Sequence, residues 1–215
     1  MSSENVPLLT KEELEKKFKE EKGKIDILLK QAKYEEALNG YNELIKNIEK
    51  EVKQNKSLQK EERDLMIKDH LIPLYSNLCF IYIKQNNWNS VIKNANLILK
   101  IEKENIKAIY RKCYAEINLS EYETAEETMS KLSELIGEEN PELQSLRKML
   151  DQKKTEDNLQ KMKKYKKMMN YYHKLNEEKE YQELSRIGKI FYGCNEICKK
   201  IFCCCNKRKT IKKTY

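Results

Sequence analysis

The sequence predicts an all-α protein built from stacked helix pairs, and three observations carry that expectation. Charged residues make up 36% of the 215 and aromatics 8%, with only five Gly and three Pro, a composition poor in the turn residues that sheets require. No run of alternating β-branched residues bounded by turn signals occurs along the chain. A short pattern, aromatic-x-x-small, returns as YEEA at 34–37, WNSV at 88–91 and YETA at 122–125, the last two 34 residues apart and the first two 54.

Each copy justifies one helix pair, and other apolar positions keep the same register. Leu29, Ile83 and Ile117 precede the small residue by eight; Tyr41, Ala95 and Met129 follow it by four; Leu44, Ile98 and Leu132 follow it by seven. The polar turns KQAK, KQNN and NLSE divide each copy into helix, turn, helix. A helix-turn-helix period of 34 residues is that of the tetratricopeptide (TPR) solenoid, in which each pair buries its apolar face against its neighbours. The repeats are read as 12–56, 62–101 and 104–136, after residues 1–11, which are expected to be disordered. Glu116 departs from the pattern, standing where the second repeat has Tyr82.

The extra 20 residues between the first and second copies fall in the polar, helix-prone KEVKQNKSLQKEERDLMIKDH and are read as extensions of the second and third helices. Pro141 suits a helix start, so 141–183 is expected to be a long C-terminal capping helix. Leu143, Leu146, Leu150, Leu159, Met162, Met169 and Tyr172 form one narrow stripe along it. Its first part should cap the third repeat, and its later part should project beyond it.

Charge and cysteine are unevenly distributed. The net charge of +8 resides in residues 186–215, which hold nine Lys or Arg against one acid, Glu196. Of seven Cys, Cys79 and Cys113 lie in helical apolar stripes, and Cys194, Cys198, Cys203, Cys204 and Cys205 crowd the basic tail. An odd count without a spacing framework argues for a reducing, cytoplasmic setting. No apolar stretch approaches the ~20 residues needed to span a bilayer. MSSENVPLLT has no secretory pattern, Ser2 stands where myristoylation needs glycine, and KKTY is not a prenylation box. There is no phosphate loop, nucleophile elbow or paired metal motif, so no enzyme, cofactor or metal site is expected, and His70 and His173 receive no chemistry.

LYSNLCFIYIKQNNW, NIKAIYRKCYAE and QKMKKYKKMM, in that order, resemble the TPR region of large FKBP-type immunophilins and related clamp-type co-chaperones, over residues 15–172. Residues 1–11 are too few for that family's prolyl isomerase domain, so a non-catalytic chain is expected. The resemblance implies a groove in which Lys, Asn and Arg grip the acidic C-terminus of heat-shock protein 90 or 70. By register it assigns that role to Lys22, Asn77, Lys107 and Arg111. Asp26 stands at the family's usual Asn, where it would repel a carboxylate and could pair with Lys22 one turn away, so the clamp is expected to be partial. The residue chemistry is compatible, because charge-assisted hydrogen bonds from several directions suit a carboxylate. The alternative reading of Lys107 and Arg111 is a solvated helix face.

In the tail, Ile187, Ile190, Phe191, Cys194, Ile197, Cys198, Ile201, Phe202 and Cys205 fall on helical spacing beside basic residues. That pattern is read as a membrane-surface helix, with Cys194, Cys198, Cys203, Cys204 and Cys205 as candidates for S-palmitoylation. The same stripe could instead dock on the last TPR helix. Metal binding is disfavoured by the lack of paired CxxC spacing or a nearby His, and nucleic acid by the lack of a base-reading motif. The basic, Met-containing stretch 159–175 resembles a calmodulin target; a solvated helix extension is the alternative. The sequence thus points to a TPR adaptor, a co-chaperone with a tail suited to the cytosolic face of a membrane. The alternatives are a scaffold binding an internal partner segment and a non-catalytic immunophilin-like subunit.

Overall fold

Helix ends are marked by local chemistry that the sequence makes explicit. In the computed structural model, which describes residues 9–55 and 57–191, Thr10 opens α1 (Lys11–Lys30) with a capping box: its hydroxyl accepts from Glu13 N–H, and the Glu13 carboxylate accepts from Thr10 N–H. Asn87 and Asn105 cap α4 (Trp88–Ile101) and α5 (Ile106–Asn118), accepting from Ser90 and Ala108 N–H. The remaining helices are α2 (Tyr34–Gln54), α3 (Lys60–Lys84), α6 (Tyr122–Ile136) and α7 (Pro141–Phe191). All the regular structure among the described residues is helical.

Within each repeat the two helices are joined by a tight turn whose middle residue lies in the left-handed region: Ala32 (φ 58°), Asn86 (φ 55°) and Ser120 (φ 61°). These three positions keep the register of the aromatic-x-x-small pattern. The insertion lies in the far end of α2 and the start of α3, which are 21 and 25 residues long against 14 and 13 for α4 and α5. Pro73 sits inside α3, where its missing N–H removes the bond to the Asp69 carbonyl.

Successive helices pack from α1 through α6, and α3 also touches α5. Small residues let them approach: Ala37, Val91 and Ala125 are fully buried, and a Cβ on Gly40 would meet Ile25 Cγ1 at 3.0 Å. Tyr41, Ile48, Leu78, Ile81, Ala95 and Ile98 continue the core through the first two repeats. A second cluster joins Ile109, Cys113, Ile117, Met129 and Leu132 to Leu143, Leu146 and Leu150 of α7, closing the third repeat. A helix pair alone would leave these side chains wet, at about 1.5–3 kcal/mol each, which is why the repeats must stack.

The chain divides into two units, one ending at Thr155 and the other beginning at Glu156. α7 continues to Phe191, past the end at 183 that the sequence suggests. In the second unit no described side chain is buried, and Leu159, Met162, Tyr165, Met169 and Tyr172 are exposed. Cys194, Cys198, Cys203, Cys204 and Cys205 lie outside the described residues, as do residues 1–8.

Candidate functional site

The capping of α5 by Asn105 puts Lys107 in its first turn and Arg111 one turn later. Arg111 reaches across to α3: its Nη1 donates to the Ser76 carbonyl at 2.6 Å and to the Ser76 hydroxyl at 2.5 Å. Burial pulls its pKa below the ordinary guanidinium value, which raises the worth of any anion brought alongside. Lys107 and Arg111 open together onto a cleft of about 630 Å³. Ile83, Ile106, Tyr110 and Tyr114 supply apolar walls, and Glu142 of α7 contributes an acid. Trp88 stacks edge-on against Tyr114 at 5.7 Å, supporting that wall from α4.

Asn77, the residue after Ser76, belongs to a second cluster. Its Nδ2 donates to Asp26 Oδ1 at 3.2 Å and to the Tyr41 phenolic oxygen at 3.0 Å. The Tyr41 hydroxyl in turn donates to Asp26 Oδ1 at 2.5 Å, and Lys22 Nζ pairs with Asp26 Oδ2 at 2.5 Å. Burial, followed by the Asp26 carboxylate, raises the Tyr41 pKa well above the ordinary phenol value, so the hydroxyl stays a donor. Lys22, Asp26 and Asn77 therefore meet at the crossing of α1, α2 and α3, and Lys107 and Arg111 meet over α5. Ser76 and Asn77 are the neighbours on α3 that stand between the two groups.

Tyr41 and Ser76 are participants that sequence reasoning missed. A signal existed for Tyr41: it occupies the slot of Ala95 and Met129, so its hydroxyl enters an otherwise apolar position and needs a partner. Ser76 carries no such signal. Among the described residues no cluster of His, Cys, Asp or Glu could hold a metal ion, and no helix is long and apolar enough to cross a membrane.

No protein-family model matches the sequence. No curated protein matches it either. Among solved structures, the C-terminal TPR-containing domain of an FK506-binding protein of Plasmodium falciparum is similar, with TM-score 0.57 and 23% identity over 70% of this chain and 96% of that one. The Hsp90 co-chaperone Cns1 of Saccharomyces cerevisiae aligns with TM-score 0.56 and 18% identity over 73% of this chain and 45% of that one. The first TPR of Spaghetti (RPAP3), bound to the Hsp90 peptide SRMEEVD, aligns with TM-score 0.45 and 21% identity over 62% and 90% of the two chains. The first two likenesses establish the fold as a TPR helical solenoid.

Proposed function

We propose that the chain is a protein–protein adaptor, a co-chaperone whose groove takes the acidic C-terminal peptide of a heat-shock chaperone at Lys107 and Arg111. The observation that carries the reading is the shared cleft: two cations one turn apart, one of them partly desolvated, face the same apolar-walled space. A carboxylate held there would receive charge-assisted hydrogen bonds in surroundings less screened than open surface. The co-chaperone role of Cns1, which has the same fold, is consistent with this assignment. Lys22 and Asn77 belong to the proposed grip by register, but both are bonded to Asp26, so the clamp is a partial one.

The deciding experiment is calorimetric titration of the full chain with SRMEEVD, with its C-terminally amidated form as control and an Arg111→Ala protein beside it. Micromolar binding that both changes abolish supports a carboxylate-reading adaptor. Binding indifferent to amidation favours a scaffold that takes an internal segment of its partner.

Membrane tethering through Cys194, Cys198, Cys203, Cys204 and Cys205 is a further part of the proposal and rests on sequence pattern. Acyl chains beside a polybasic patch would provide the two signals that stable anchoring needs. The exposed Met162, Tyr165, Met169 and Tyr172 among lysines make 159–175 the segment for a groove-type partner such as calmodulin.

A further inference from the structure

The first-repeat half of the proposed grip is already occupied. Both oxygens of Asp26 are engaged: Oδ2 by the Lys22 ammonium at 2.5 Å, Oδ1 by the Tyr41 hydroxyl at 2.5 Å and the Asn77 amide at 3.2 Å. The donors come from three helices, α1, α2 and α3, and comprise an ammonium, a phenol and an amide. That is the set an incoming carboxylate would need, and a carboxylate of the chain itself sits in it.

We infer that Asp26 is an internal carboxylate ligand that fills the Lys22–Tyr41–Asn77 half of the groove and so restricts an incoming partner to the Lys107–Arg111 half. Asp26 is then a specificity-determining residue. It weakens, without abolishing, the hold on a partner that presents two anionic groups, because only one of them finds a free site. The inference rests on the reading of Lys107 and Arg111 as the anion site. Its physical basis is competition. A carboxylate one helical turn from Lys22 is present at a high effective concentration, whereas a peptide must be supplied from solution. An acid brought to Lys22 would also stand beside the negative charge of Asp26, which repels it. The pair is not sealed away, since the Lys22 and Asp26 side chains retain 31% and 30% of their exposure, so exchange is open to a competing ligand.

Asp26→Asn keeps the side chain's shape and an acceptor for Tyr41 while releasing Lys22. The full-length wild type, Asp26→Asn, and Asp26→Asn combined with Lys22→Ala are titrated calorimetrically with SRMEEVD, each after a thermal melt has verified folding. Asp26→Asn is expected to bind about tenfold tighter than wild type, the worth of one added charge-assisted hydrogen bond, and the added Lys22→Ala to cancel the gain. Wild-type binding that Asp26→Asn leaves equal or weakens overturns the role of Asp26 and leaves the Lys107–Arg111 reading intact. Binding by Asp26→Asn alone upholds the role of Asp26 and removes the native groove as a chaperone acceptor. Silence from both folded proteins removes both. Asp26→Ser is an independent arm, since it removes the same carboxylate while leaving a hydroxyl for Tyr41: tighter binding than wild type is expected, and equal or weaker binding by the folded protein overturns the inference even where Asp26→Asn fails to fold.

Discussion

Cys79 and Cys113 occupy the same place in successive repeats: both are fully buried, and each thiol donates to the backbone carbonyl twelve residues on, Val91 at 3.6 Å and Ala125 at 3.5 Å. Each sulfur thus links the first helix of its repeat to the small residue that lets the second approach. Burial pushes the Cys79 thiol up to about 11 and the Cys113 thiol to about 12. A protonated, enclosed thiol is a poor nucleophile. Iodoacetamide near neutral pH should therefore leave both unlabelled in the folded protein and label both after denaturant is added. Peptide mass mapping reads each site separately. Rapid alkylation of either one in the native state would contradict the packing.

Glu116 occupies the place of Tyr82 in the preceding repeat and is only 3% exposed. Its Oε2 has no partner, while Thr128 and Lys112, at 3.7 Å, attend the carboxylate. Burial is the largest influence and raises its pKa above the usual 4.5. A raised folded-state value means the stability from this group is complete below the unfolded value and is lost as pH rises through the folded one. Glu116→Gln keeps an acceptor for Thr128 and removes the charge. It is expected to match wild type near pH 3, below the unfolded value, and to exceed it by about 1 kcal/mol at pH 7, the scale of an unpaired buried polar group. Denaturant unfolding of both proteins at the two pH values checks this, and a less stable Glu116→Gln at pH 7 would show that the Lys112 pair outweighs burial.

The repeat scaffold was legible because one period governs many positions at once: the small residues Ala37, Val91 and Ala125, and with them the turn residues Ala32, Asn86 and Ser120, keep a common register. Glu116 was legible as a departure for the same reason. The Asp26 network was only half legible. Pairing of Asp26 with Lys22 follows from helical spacing, but the Tyr41 and Asn77 bonds depend on how three helices cross, which periodicity does not encode. The reach of Arg111 to Ser76 spans 35 residues and carries no local mark. That the later part of α7 leaves the repeats is expected from sequence, but the point where burial ends is not, because the stripe from Leu143 continues at helical spacing to Tyr172 while packing stops near Leu150.

The three left-handed turn residues differ in how well they suit their conformation. Asn tolerates it, so Asn86 sits with little strain. Ala32 at φ 58° carries the steric cost of its Cβ against the following carbonyl, roughly 1–2 kcal/mol. Ala32→Gly removes that cost and adds unfolded-chain entropy of about 0.5–1 kcal/mol, so the expected net is a stabilisation of about 0.5–1 kcal/mol. Chemical denaturation reads the difference directly. Ala37→Gly, inside α2 and fully buried, serves as the opposite case and should destabilise by about 1 kcal/mol or more.

α7 is one helix with two energetic regimes, and a pair of truncations separates them. Leu146 is 1% exposed and packs with Ile109, Cys113 and Leu132 in the cluster that closes the third repeat. Leu159 belongs to the same stripe but is 54% exposed. Leu146→Ala should cost about 2–5 kcal/mol, the range for emptying a packed leucine site. Leu159→Ala should fall within about 0.5 kcal/mol of wild type, as surface substitutions do. Both are read from denaturant midpoints at fixed protein concentration. A repeat of the Leu159→Ala measurement at tenfold higher concentration then tests self-association. A cost that appears only at the higher concentration would mean that a second copy covers this stripe, whereas a concentration-independent null result leaves it free for a different partner.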